Sequence, residues 1–138
     1  MLGGWSEIQG AMRMPKDVEL RNTEVGPEVV RFTTRCGSVS GTAYRASGLY
    51  ETHYEVVRAE RLARPGLDDK SISPQMVQRV GTVGEFDVVG EVTFFFEDGV
   101  FIVEVHGFDF CVAPGQLDEP VSLGDWIDLH IRRFTLYV

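Results

Sequence analysis

Four side chains in the second half of the sequence, Glu91, His106, Asp128 and His130, are of the types that bind a divalent metal or exchange protons. To act together they must converge in a concave site. Their spacing carries no motif that forces convergence. There is no C-x-x-C, no H-E-x-x-H and no D-x-D-x-D-G calcium loop. There is likewise no G-x-S-x-G, Walker loop or dinucleotide fingerprint. His106, Asp128 and His130 are carried forward as candidate metal ligands, with Glu91 as their acid–base companion. The competing reading is a solvated polar sheet face, whose charges keep the sheet from pairing at its edges. No cofactor is expected.

A second property involves the same residues. Between Val80 and Ile131 there is no lysine or arginine, yet the stretch holds eleven carboxylates: Glu85, Asp87, Glu91, Glu97, Asp98, Glu104, Asp109, Asp118, Glu119, Asp125 and Asp128. The formal net charge of −8 is therefore concentrated in one part of the chain. Segregated charge selects partners, attracting basic surfaces and repelling phosphates.

The elements that must position these residues are read from turn chemistry. Asp98-Gly99 is a favoured two-residue hairpin turn, and apolar residues alternate on both sides of it. Pairing across it sets Phe96 opposite Phe101, Phe94 opposite Val103 and Val92 opposite Val105. A second turn at His106-Gly107, with glycine where positive φ is cheap, pairs Val105 with Phe108, Val103 with Phe110 and Phe101 with Val112. This predicts a three-stranded antiparallel meander from Val88 to Ala113 with one apolar face. The other face carries Glu91, Phe95, Glu97, Ile102, Glu104, His106 and Asp109. Glu104 falls directly opposite Asp109, a like-charge pair that a bulge at Gly107 would relieve.

On that polar face Phe95 and Ile102 are expected opposite each other. An exposed apolar pair rimmed by Glu91, Glu97 and Glu104 has the composition of a protein-docking patch; the alternative is coverage by a second layer of the same domain. Beyond a proline and glycine loop, Ile127, Leu129 and Ile131 alternate with Trp126, Asp128 and His130 as a further strand. The apolar parity changes after Arg132-Arg133, which predicts a bend or bulge within one long strand.

In the first half, Val29 to Cys36, Val39 to Ala46 and Leu49 to Val57 read as another meander, rich in valine, threonine and tyrosine. Glu51 to Ala63 also fits a helix ended by Pro65. Ser73 as cap, Pro74 and Gly81 outline a short helix, Pro74 to Val80. The expectation is one mainly β domain over residues 1–138, an antiparallel barrel or sandwich of about seven strands with one short helix. Residues 1–28 are expected to be irregular, 65–84 to form a connecting segment with the helix, and 86–138 to form the acidic half.

Gly90-x-Val92, Gly99-Val-Phe101-Ile-Val103, Gly107 and Gly124-Asp125, over about the last fifty residues, somewhat resemble an OB-type or S1-like barrel. Each element also occurs in any antiparallel barrel with tight turns. The resemblance implies nucleic-acid binding, with Phe101 matching the family's strand-two aromatic. Neutralising phosphates requires lysine or arginine along the backbone path, and this stretch has none, so no nucleic-acid partner is expected.

The apolar runs are far shorter than the roughly 20 residues that cross a bilayer, so no membrane partner is expected either. Two cysteines, Cys36 and Cys111, do not form a disulfide framework and are read as buried thiols of a cytoplasmic protein. His53 is read as structural. The function expected from these features is a non-catalytic acidic binding module for a protein with a basic surface, for example an inhibitor or immunity-type protein. Two alternatives are a barrel that binds a small ligand among Phe94, Phe95, Phe96, Phe101, Phe108 and Phe110, and a metal-assisted enzyme. Oligomeric state is not encoded in these features.

Overall fold

A computed structural model of the chain describes residues 18–26, 29–34, 37–46, 54–65 and 71–137. They form β1 (Val18–Gly26), β2 (Val29–Thr34), β3 (Ser40–Ala46), β4 (Glu55–Ala63), β5 (Gln75–Gln78), β6 (Phe86–Phe95), β7 (Phe101–Val105), β8 (Phe108–Val112), β9 (Trp126–Arg132) and β10 (Thr135–Tyr137). A single 3-10 turn spans Pro114–Gln116. One sheet has the order β1-β2-β3-β10; the other has the order β4-β9-β6-β7-β8, with β5 also paired to β6. The fold is mainly β and sandwich-like, without a closed barrel.

The core lies between the sheets because the period-two alternation of each strand turns its apolar set inward. Phe32 of β2 packs against Phe86 of β6 and Phe108 of β8, with ring centroids 5.9 and 6.3 Å apart. Val88, Val92, Val103, Val105, Phe110, Val112, Ile127, Leu129 and Ile131 are buried with them.

The β7–β8 hairpin forms as expected. His106 and Gly107 have φ of 48° and 86°, the left-handed pair that a primed two-residue turn requires. Val105 pairs with Phe108, Val103 with Phe110 and Phe101 with Val112. No bulge relieves the charge conflict, and Glu104 lies opposite Asp109.

The β6–β7 connection differs from the expected two-residue turn. It is a three-residue loop, Glu97-Asp98-Gly99, closed by Phe96 N–H donating to Val100 O at 2.8 Å and Gly99 N–H to Phe96 O at 3.1 Å. Gly99 has φ 90°, and Asp98 Oδ1 accepts from Val100 N–H at 3.2 Å. A type I turn followed by a left-handed glycine is the usual three-residue solution. The register therefore slides to Phe95 opposite Phe101 and Phe94 opposite Ile102. A bulge at Thr93 then places Val92 opposite Val103. Phe95 consequently packs inward, 5.7 Å from the Phe101 ring, and Phe94 faces out, 50% exposed.

The expected helix over Pro74 to Val80 is instead strand β5, which pairs Gln75 with Val89 through Gln78 with Phe86. β7 pairs only with the far half of β6, so the ladder groups of its near half need another partner. Gln78 fastens β5 to the other sheet: its Nε2 donates to Thr42 Oγ1 at 2.6 Å and its Oε1 accepts from Thr42 N–H at 2.8 Å. Residues 18–26, expected to be irregular, form β1 on the edge of β2.

Glu55–Ala63 is strand, not helix, and pairs with β9 with register shifts at Val57 and Leu62. Leu49 to His53, Ser47-Gly48 and Cys36 lie outside the described residues. At Arg132-Arg133 the bend carries the chain from one sheet to the other. Arg133 has φ 58°, Phe134 is buried, and β10 pairs in parallel with β3. The parity change read in the sequence is this exchange of sheets.

All neighbours in the order β4-β9-β6-β7-β8 are antiparallel, so the two edges, β4 and β8, run in the same direction. Tyr54, the residue before β4, joins them. Cys111 N–H of β8 donates to the Tyr54 hydroxyl at 2.6 Å, and the hydroxyl donates to Cys111 O at 3.3 Å. Toward the other end of β4, Arg61 reaches the loop after β8: its Nη1 donates to Pro120 O at 3.2 Å, and it pairs with Glu119. Leu117 and Val121 of that loop pack against the core.

Tyr54→Phe keeps the ring against Phe110, 5.1 Å away, but strips both Cys111 backbone groups of their partner. Urea denaturation is expected to show a loss of about 1–3 kcal/mol, the cost of leaving buried polar groups unpaired. A loss below about 0.5 kcal/mol, half a typical hydrogen bond, would show that the hydroxyl does not hold the seam.

Candidate docking surface

The outer face of the larger sheet is ordered into cross-strand rows. One row runs Val77, Asp87, His130, Arg58, and the next runs Gln75, Val89, Asp128, Glu60. The third is Asp109, Glu104, Glu91, Trp126, and the fourth is Cys111, Ile102, Phe94. Strands lie about 4.8 Å apart and alternate residues of a strand about 6.8 Å apart. The face is thus a grid of known pitch.

The first row is charge-compensated. Arg79 donates from Nε and Nη2 to Asp87 at 3.1 and 3.0 Å and lies 3.9 Å from Glu85. His130 Nε2 is 2.5 Å from Glu85 Oε2. Burial pushes the Asp128 carboxyl above the usual carboxylate range, and nearby Arg58 pulls against it. Arg58 and Arg79 precede the acidic block in the sequence, and the fold returns them to it. Charge that is segregated along the chain is therefore partly paired in space on this half of the face, at Asp87 and Glu85, while Asp128 and Glu60 lie opposite each other.

The third row is different. Glu91 and Glu104 are exposed, Asp109 is half-buried, and their backbones sit side by side on three adjacent strands. Among the described residues no cation lies within ion-pair reach of Glu91, Glu97 or Glu104. Like charges placed directly across strands destabilise a sheet, so this row is held together by the rest of the fold.

Next to it lies the apolar row. Ile102 is half-buried, and Phe94 stands out beside it with Phe96 edge-on at 5.0 Å. The expected outer pair of Phe95 and Ile102 is corrected to Phe94 and Ile102, because the Thr93 bulge exchanges the faces of the two phenylalanines. Of the expected surface, the structure groups Glu91, Ile102, Glu104 and Asp109 on one face. Glu97 lies in the adjoining loop, and Phe95 leaves for the core.

The candidate metal ligands do not assemble. His106 is in the β7–β8 turn, 3.2 Å from Pro74 O. His130 is engaged with Glu85, and Asp128 lies one row away on β9. Among the described residues no group of three His, Cys, Asp or Glu side chains is placed to hold a metal ion. Two features that organise the surface were missed in the sequence. The Arg79–Asp87 pair depends on β5 being a strand, and Tyr54 depends on contact between two distant edges. The only signal for Phe94 was the local choice between a two-residue and a three-residue loop.

The fold and surface together define a mainly β, sandwich-like protein whose outer face combines an acidic row with an apolar one. Compared with known proteins, the chain matches no family model, no curated protein and no solved structure. Among the described residues no helix is long and apolar enough to cross a membrane.

Proposed function

We propose that this protein is a non-catalytic binding module, acting in the cytoplasm, that docks a basic protein surface on the outer face of β6, β7 and β8. The observation that carries this reading is a contrast within one sheet: Asp87 and Glu85 are engaged by Arg79 and His130, whereas exposed Glu91 and Glu104 lie opposite each other beside exposed Phe94 with no cation within ion-pair reach among the described residues. A partner's lysines and arginines would relieve the repulsion within the row, and Phe94 and Ile102 supply the desolvated centre that a docking patch needs. Carboxylates repel phosphate backbones, so a protein partner is favoured over nucleic acid. An inhibitor or immunity-type protein covering a positive cleft fits these requirements.

The test uses an array of basic peptides, with binding read at low and at high salt. Glu91→Gln with Glu104→Gln is expected to weaken binding at least about tenfold at low salt while raising the thermal midpoint, because repulsion within the row is relieved. Binding of the unaltered protein should fall as salt shortens the screening length below about 10 Å. The control is Glu19→Gln with Glu24→Gln on β1, which changes net charge equally but on the other sheet. Equal weakening by the control would mean that net charge alone acts, and the docking surface would be rejected.

A further inference from the structure

Resting on the docking reading above, we infer that the partner presents an arginine to this face, its guanidinium shared by Glu91 and Glu104 and flanked by Trp126 and Phe94. Glu91 and Glu104 are cross-strand partners, which sets their Cβ atoms about 4.5–5.5 Å apart. Both are exposed, and no cation among the described residues lies within ion-pair reach of either. Asp109, at the end of the row, is already engaged within the chain and does not enter the count. Two carboxylates this close repel each other across the strands. One cation placed between them meets both.

The neighbours of the pair decide which cation. Trp126 follows Glu91 in the row, about 4.8 Å away on β9, and is half-buried between buried Asp125 and Ile127. On the other flank the Thr93 bulge brings Phe94 level with Ile102, one row along and about 7 Å from the pair. Val77 is more exposed than Phe94, but it lies in the row of Asp87, two rows and roughly 13.5 Å from Glu91, and takes no part. A lysine ammonium is compact and strongly hydrated, and aromatic neighbours strip part of that shell. A guanidinium is planar and weakly hydrated. Its edges carry five N–H donors, enough for a bond to each carboxylate, and its faces stack on aromatic rings. Contacts between cations and ring faces are accordingly more often made by arginine. Carboxylates set between aromatic residues thus select arginine over lysine. The same geometry makes the two glutamates one unit: with either removed, the other holds only an ordinary surface ion pair.

The probes are three basic peptides identical except at one central residue: arginine, lysine, or citrulline, which has the shape of arginine without its charge. Titrated into the full-length protein, the arginine peptide is expected to bind at least about fivefold more tightly than the lysine one, with citrulline weakest. Glu91→Gln and Glu104→Gln should each remove most of the arginine preference, and the double variant little more. Phe94→Leu, which keeps an apolar side chain but no ring, should narrow the ratio of arginine to lysine affinity. Thermal midpoints no lower than that of the unaltered protein will show that the glutamine variants are folded. Equal binding of the arginine and lysine peptides, still weakened by Glu104→Gln, would overturn the arginine and leave the docking face standing. Losses from the two glutamine substitutions that add in full would give each glutamate its own cation and overturn the shared site. Binding of all three peptides that ignores both substitutions, or binding of none, would overturn the arginine and the docking face together.

Discussion

Phe134→Ala is expected to cost about 3–5 kcal/mol of folding stability, the range for truncating a buried aromatic. Domains of this size have only about 5–15 kcal/mol in total, so the variant should stand near the edge of unfolding at room temperature. The ring has no exposed surface. It lies within 5.4 to 6.2 Å, centroid to centroid, of Phe32, Phe86, Phe108 and Phe110, which come from both sheets. Its backbone is equally committed: its N–H donates to Gly84 O at 2.9 Å, and its carbonyl accepts from Tyr44 N–H at 2.9 Å. Removing the ring opens a void at the point where the sheets meet, and neither sheet can close it without breaking one of these bonds. Phe134→Leu retains part of the volume and should lose less. Equilibrium denaturation in guanidinium checks both. A loss below about 1 kcal/mol for alanine, well under the expected range, would show that the ring is not central.

Gly90→Ala is expected to destabilise by about 3 kcal/mol or more, at the upper end of overpacking effects. The added methyl would lie 2.4 Å from Glu104 O and 2.8 Å from Val103 Cγ1. The obstacle is backbone, so it cannot rotate aside. Glycine is needed here because β6 is most tightly approached where its pairing passes from β5 to β7, and a close backbone approach is a characteristic reason for glycine inside a strand. Exchanging Gly115, whose Cβ would meet nothing within 4 Å, for alanine is the control and should be nearly neutral. Because Gly90 precedes Glu91 and faces Glu104, Gly90→Ala should also loosen the acidic row. Amide exchange should show β7 and β8 losing protection before β9.

The parts of this fold that were legible in the sequence are those set by neighbours along the chain. Val105 to Phe108 form a two-residue turn whose φ values only certain residues accept, and the pairing of Phe101 with Val112 follows from it. The alternation of Ile127, Leu129 and Ile131 likewise needed no knowledge of the partner strand. Asp98-Gly99 was ambiguous because the same two residues close either a two-residue or a three-residue loop. Choosing between them moved Phe94 and Phe95 to opposite faces and so changed the docking patch. Gln75–Gln78 was misjudged because its strand character comes from the vacant half of β6, not from its own side chains. The charge pattern misled in a similar way. Arg58, Arg61 and Arg79 lie outside the acidic block in sequence, but their positions in space depend on pairings between distant strands. What survives of the original acidic feature on β6 and β7 is the exposed pair Glu91 and Glu104.

The parallel pairing of β10 with β3 bears on how the chain is made. On the side of β3 away from β2, Tyr44 to Ala46 pair with Thr135 to Tyr137. At synthesis rates of roughly 5–20 residues per second, that neighbour arrives on the order of ten seconds later. Until then β3 lacks its β10 edge and Phe32 lacks the Phe134 ring. Contacts this distant also slow folding once the chain is available. During translation the smaller sheet is thus unfinished at this edge, and this interval is when the nascent chain has most to gain from a chaperone.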